Sequence, residues 1–204
     1  GAEEEWSFPS ITKFVDGESD VLVVGSNWAA DDQYLFPVIK NHPHLKVIVA
    51  PHELHDEQRM NWEKEFKDQF VLIGNLESSD QKNKRVLYVD QIGMLSKLYR
   101  FGTAAYVGGG FGKAVHNTLE AAVYGIPVIF GPENDRFQEI QELKRLGVGI
   151  EVKNEIQLSE AIDKAIGEPA YRSHVENSTS SFFENQRGAS DKIVDWVREV
   201  LKNK

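Results

Sequence analysis

Short apolar runs recur along the chain, separated by segments whose apolar residues return with helical spacing. The runs are Val21-Leu-Val-Val24, Lys46-Val-Ile-Val-Ala50, Phe70-Val-Leu-Ile73, Val86-Leu-Tyr-Val89, Ala104-Ala-Tyr-Val107 and Pro127-Val-Ile-Phe130. They are apolar on both faces and rich in β-branched residues, which predicts strands of a parallel sheet covered on both sides. The first intervening helix opens at Asp31-Asp32, carries Tyr34, Leu35, Val38 and Ile39, and stops at Asn41-His42-Pro43. A polar helix runs to about Phe66, a third covers residues 92–99 with Leu95, Leu98 and Tyr99 on one face, and a fourth covers 136–146 through Phe137, Ile140 and Leu143. Residues 150–152 add a short edge strand. Three closing helices follow at 158–166, 171–183 and 191–201, with Gly188 breaking the last pair apart. At the other end, Glu3-Glu4-Glu5 reads as a solvated lead-in and residues 9–15 as a short helix before the turn Asp16-Gly17-Glu18-Ser19-Asp20.

Strands alternating with helices imply right-handed βαβ units, so the fold class is α/β: a doubly wound, Rossmann-like parallel sheet of about six strands with closing C-terminal helices. The division is a lead-in of residues 1–20 and one domain of 21–204. Ligands of such sheets bind beyond the carboxyl ends of the strands. The predicted lining is therefore Gly25-Ser26-Asn27, Pro51-His52, Asp90, Gly108 to Gly112, and Gly131-Pro-Glu-Asn134.

The run Gly108-Gly109-Gly110-Phe111-Gly112-Lys113 fits either a tight strand-to-helix turn or a cradle whose amides approach an anion, helped by the positive end of the following helix. His116, Asn117 and Glu120 have the spacing to project from the start of that helix, with Leu119, Ala122 and Val123 facing the sheet. A carboxylate beside a glycine loop suits the hydroxyls of a ribose; the plainer reading has Glu120 complementing the helix dipole and His116 packed in the loop. The first turn, Gly25-Ser-Asn-Trp28, lacks the G-x-G-x-x-G fingerprint and there is no Walker A lysine motif, which disfavours an NAD-dependent dehydrogenase. His52-Glu-Leu-His55 is one residue short of H-E-x-x-H and places its histidines on different helix faces, so no metal is expected.

Composition narrows the classes further. A chain of 204 residues with 41% hydrophobic content supports one sizeable core. Its net charge of -9 excludes a general nucleic-acid surface. Without cysteine there is no disulfide framework and no thiolate nucleophile. The apolar runs are too short to span a bilayer, and the chain opens Gly-Ala, which reads as a piece of something longer.

From about residue 20 onward the chain resembles the C-terminal half of the bacterial Kdo transferases, GT-B glycosyltransferases that add 3-deoxy-D-manno-octulosonate to a lipid A precursor. The resemblance is carried by Gly108-Gly-Gly-Phe111, His116-Asn-Thr-Leu-Glu120-Ala-Ala, Gly125-Ile-Pro-Val-Ile-Phe-Gly-Pro132 and Asn185-Gln-Arg-Gly-Ala189. Gly25-Ser-Asn-Trp28, Ala50-Pro-His52 and Val89-Asp90 followed by Gly93 match more weakly. It implies a donor site for CMP-Kdo, with Glu120 on the ribose and Ser26, the glycine loop and Asn117 around the phosphate and sugar; Asn27, His52, Lys113 and His116 complete the candidate set. Residue 52 departs from the pattern, since many relatives carry arginine there and histidine offers fewer donors.

The family's catalytic base belongs to the N-terminal domain, so the resemblance assigns no catalytic residue here and no turnover to this chain alone. It further implies no cofactor beyond the substrate CMP-Kdo, the protein's own N-terminal domain and a lipid A precursor as partners, and a cytoplasmic location, the full-length enzyme lying at the cytoplasmic face of the inner membrane. Three other readings remain open: a GT-B enzyme with a UDP- or GDP-sugar donor, a sugar-nucleotide epimerase, and a non-catalytic nucleotide-binding module.

Overall fold

The computed structural model describes residues 8–17, 20–79, 83–115, 117–134 and 137–202, with side chains as far as residue 185. His116, Arg136 and the side chains of residues 186–189 in the late motif lie outside the described residues. Among the described residues, seven strands form one wholly parallel sheet: β1 (Val21–Asn27), β2 (Lys46–Pro51), β3 (Phe70–Leu72), β4 (Val86–Tyr88), β5 (Ala104–Val107), β6 (Val128–Phe130) and β7 (Gly149–Glu151). Their order is β3-β4-β2-β1-β5-β6-β7, so the chain winds outward one way from β1 and then returns to build the other half from β5. The β1/β5 seam is the switch point, where a doubly wound sheet opens a crevice at its carboxyl edge.

Strand alternation explains the two layers. Val21 and Val23 of β1 face one side, with Ile11 and Phe14 of α1 (Pro9–Val15), Leu98 of α4 (Leu95–Leu98), Ala121 and Ala122 of α5 (Leu119–Ala122), Ile140 and Leu143 of α6 (Gln138–Arg145), and Val175 of α8 (Pro169–Lys202). Leu22 and Val24 face the other side, with Leu35, Val38 and Ile39 of α2 (Ala29–Asn41), Trp62 and Phe66 of α3 (Asp56–Phe66), and Leu158, Ala161, Ile162 and Ala165 of α7 (Glu155–Gly167). Each fully buried aliphatic or phenyl side chain contributes about 1.5–3 kcal/mol relative to exposure. Ile11 and Phe14 are only 1% and 2% exposed, so packing into the core begins at α1, ahead of the Val21 expected from the pattern.

Three helices differ from expectation for local reasons. The helix expected at 92–99 is a single turn, Leu95–Leu98, followed by a 3-10 turn at Tyr99–Phe101. Gly93 has φ +83°, which breaks helical geometry behind it. The helix after the glycine loop is also one turn, so Val123 lies beyond it, 51% exposed, and Ala121 takes the sheet-facing place beside Ala122. At the end of the chain Gly188 does not separate a pair of helices: α8 continues through it to Lys202. One glycine in a helix interior costs only about 1 kcal/mol relative to alanine, less than flanking turns supply.

Candidate functional site

The carboxyl edge at the β1/β5 seam is built from close backbone approaches. Ser26 has φ +50°, a left-handed conformation in β1 that shifts the register with β2 between Gly25 and Asn27. A Cβ on Gly108 would lie 2.3 Å from Asn27 Cα, and a Cβ on Gly110 would lie 2.5 Å from Gly131 Cα. Those two glycines are therefore required by contact. Gly109 has φ +95°, which favours glycine for the backbone itself.

A buried carboxylate holds the loop from beneath. Asp31 is fully buried and accepts hydrogen bonds from Trp28 N (2.7 Å), Tyr106 Oη (2.9 Å) and Gly109 N (3.0 Å). Gly108 N donates to Gly25 O, Gly112 N and Lys113 N both donate to Gly109 O, and Glu133 N donates to Gly110 O. Several loop amides are thus turned inward, which accounts for the glycines independently of any ligand. Next to Asp31, Asp32 accepts from Asn27 Nδ2 (2.7 Å), Trp62 Nε1 (3.0 Å) and Gln58 Nε2 (3.2 Å). Burial raises its pKa to about 7; the three donors pull it down and the neighbouring Asp31 pushes it up. Among the described residues Asn27 Oδ1 is buried without a partner.

Aromatic contacts frame the opening. His52 is exposed and stacks on Trp28 with ring centroids 4.3 Å apart, and Lys113 Nζ lies 5.2 Å from the same Trp28 ring. Phe111 stacks on Tyr34 at 4.0 Å. On the far rim Asn117 is exposed, its Nδ2 donating to Glu120 Oε1 (3.1 Å) and its Oδ1 accepting from Leu119 N (3.2 Å). Glu120 is half-buried, and it adds to the burial that pushes the Tyr99 phenol up. Because α5 starts at Leu119, Asn117 and Glu120 meet as a turn and a one-turn helix rather than on one helical face.

The structure thus brings Ser26, Asn27, His52, residues 108–113, Asn117 and Glu120 to the carboxyl edge around one seam. Asn134 instead braces the backbone behind it: the side chain is buried, with Nδ2 donating to Gly131 O and Glu151 and Oδ1 accepting from Gln141. Asp90 lies in a small pocket against α3, two strands from the loop. A hollow of about 530 Å³ opens beside the end of β4, with Ile73, Ile92 and Met94 among its walls and α1 on its flank. Sequence reasoning missed the Asp31/Asp32 pair as site-builders; two adjacent acids at a helix start are the only signal, and it is the same signal an ordinary cap gives. Among the described residues no group of three His, Asp or Glu side chains is placed to hold a metal ion, and no helix is long and apolar enough to cross a membrane.

No family model matches the chain. A bifunctional glycosyltransferase/methyltransferase of Fusobacterium nucleatum is 29% identical over 196 residues, 94% of this chain and 30% of that protein. A 3-deoxy-D-manno-octulosonic acid transferase of Aquifex aeolicus is 38% identical over 150 residues, 69% of this chain and 40% of that protein. The chain therefore spans between about a third and two-fifths of these relatives. In fold it is similar to the C-terminal CMP-Kdo binding domain of WaaA from Acinetobacter baumannii, with a TM-score of 0.69, 20% identity, and coverage of 82% of this chain and 90% of that one. The seven-stranded parallel sheet with helices on both faces has a GT-B-like α/β fold. In sequence the chain is similar to 3-deoxy-D-manno-octulosonic acid (Kdo) transferases, and in fold to a CMP-Kdo binding domain.

Proposed function

We propose that this domain is the donor-binding half of an enzyme that moves Kdo from CMP-Kdo to a lipid A precursor in lipopolysaccharide biosynthesis. The observation that carries the reading is the 38% identity to a Kdo transferase, joined to the clustering of His52 and Lys113 on Trp28 and of Asn117 with Glu120. CMP-Kdo carries a phosphate and a carboxylate. Lys113, the His52 ring and the Ser26 hydroxyl supply cationic and hydrogen-bonding partners for them, and Glu120 accepts from ribose hydroxyls. His116 joins the set through the motif it begins.

The reaction is a displacement at the anomeric carbon of Kdo, with CMP leaving. This half orients the donor and stabilises the departing phosphate, while the base that activates the acceptor hydroxyl comes from the N-terminal domain. The chain alone is therefore expected to bind donor and not to turn over. The whole enzyme would work at the cytoplasmic face of the inner membrane, where its N-terminal domain meets the lipid acceptor.

Titration calorimetry of the chain with CMP and with UDP tests the reading. CMP is expected to bind more tightly, and Glu120→Ala to weaken it by about 1–3 kcal/mol through loss of hydrogen bonds to a charged acceptor. Binding of UDP but not CMP sinks the Kdo assignment, and unchanged CMP affinity in a folded Glu120→Ala variant removes Glu120 from the ribose.

A further inference from the structure

A separate pocket of about 130 Å³ opens where the start of α3 passes the carboxyl end of β4, lined by Leu54, His55, Asp56, Arg59, Tyr88 and Asp90. None of its walls belongs to the glycine loop, from which β2 and β1 separate it in the sheet. Tyr88 closes it on the inside. That residue is 1% exposed and its hydroxyl has no hydrogen-bond partner among the described residues, a condition that native proteins rarely leave unanswered because an unmet buried polar group is destabilising. Burial, with Asp32 and Asp90 nearby, pushes the phenol up, so it stands as a neutral O–H group.

The lining chemistry selects the kind of occupant. Asp56 and Asp90 oppose an anion, and the Arg59 guanidinium opposes a metal ion. Arg59 is loosely engaged, at 3.4 Å from Asp56 and 3.3 Å from Glu63, while His55 is turned to Glu53 at 2.6 Å. What remains is an acceptor in Asp90, a donor in Arg59 and a hydroxyl that does both, beside an apolar wall at Leu54, which is 48% exposed. Neighbouring hydroxyls on a sugar ring match that set, since each one donates and accepts, and the ring's C–H face suits leucine.

We propose that this pocket is a carbohydrate subsite that takes a vicinal diol of a sugar ring, with Tyr88 and Asp90 on the hydroxyls and Arg59 completing the contacts. The choice of sugar chemistry rests on the glycosyltransferase reading above; the pocket itself lies outside the cluster assigned there to the nucleotide. Two sources share this chemistry, the donor's own sugar and a sugar of the acceptor.

Amide-resolved NMR titration of the chain with free Kdo, D-glucose and CMP tests the subsite. One sugar is expected to shift the resonances of Leu54, Arg59 and Asp90, Kdo assigning the donor sugar and glucose an acceptor sugar, whereas CMP shifts centre on residues 108–113. Tyr88→Phe is expected to weaken sugar binding by about fivefold to tenfold, the worth of one neutral hydrogen bond, with CMP affinity retained. The proposal is overturned if neither sugar moves those resonances. It is equally overturned if Tyr88→Phe raises the melting temperature and leaves sugar affinity unchanged, the signature of a phenol that is merely buried. Asp90→Asn carries the same readout should the phenylalanine variant not fold. Sugar shifts persisting without CMP binding would sink the nucleotide-donor reading and keep the subsite; CMP binding without sugar shifts would do the reverse.

Discussion

Asp32 makes the folded chain sensitive to pH through a carboxyl that burial holds near pKa 7 instead of 3.8. Below the lower value it is protonated whether the chain is folded or not, and it costs nothing. Between the two values the unfolded chain releases the proton and the folded chain keeps it, so stability falls as pH rises through that window and levels off above it. The full effect is on the order of a few kcal/mol. Asp32→Asn keeps the shape, and Gln58 can reverse its amide to meet the new NH₂ group. Melting curves from pH 4 to 8 should therefore be flatter for that variant than for the parent. A second residue-scale consequence concerns Gly110, where a methyl group would meet Gly131 backbone at 2.5 Å. Gly110→Ala should destabilise by at least about 2 kcal/mol, seen as a lower urea midpoint. The glycine run was legible in the sequence; its reason was not, because the partners Asn27, Asp31 and Gly131 come from distant positions. Asp31 reads locally as a helix starter and is spatially the base of the loop.

At the scale of elements, the apolar runs marked every strand of the sheet's interior, since burial on both faces leaves little choice but Val, Ile, Leu and aromatics. Helix limits were less legible. Gly93 and Gly125 sit at positive φ and shorten α4 and α5 on the pattern's own residues, while Gly188 adopts the helix around it. The same residue type thus ends one element and continues another, depending on contacts that local sequence does not carry. The first helix shows this in the other direction: seven residues that read as a lead-in feature supply two core side chains. Phe14→Ala should cost about 3–5 kcal/mol in chemical unfolding, the range for emptying a buried phenyl site. A change within about 0.5 kcal/mol would show that α1 rides on the domain without supporting it.

On the scale of the whole molecule, alternation of strands and helices foretold a doubly wound sheet, and right-handed crossovers follow from chirality. The strand order does not follow so directly. Placing β4 between β2 and β3 leaves the sheet parallel and the connections right-handed either way, so only packing decides it. The switch point between β1 and β5 is nonetheless where the glycine run and the turn at residues 25–27 meet, and those two stretches were the ones singled out by their chemistry. Asp31 bears on this seam in another way. One carboxylate ties the turn after β1, the phenol of β5 and the loop beyond it into a single unit as the chain folds. The loop is therefore preorganised: its conformational entropy is lost at folding, and a ligand meeting it would keep its contact energy for affinity.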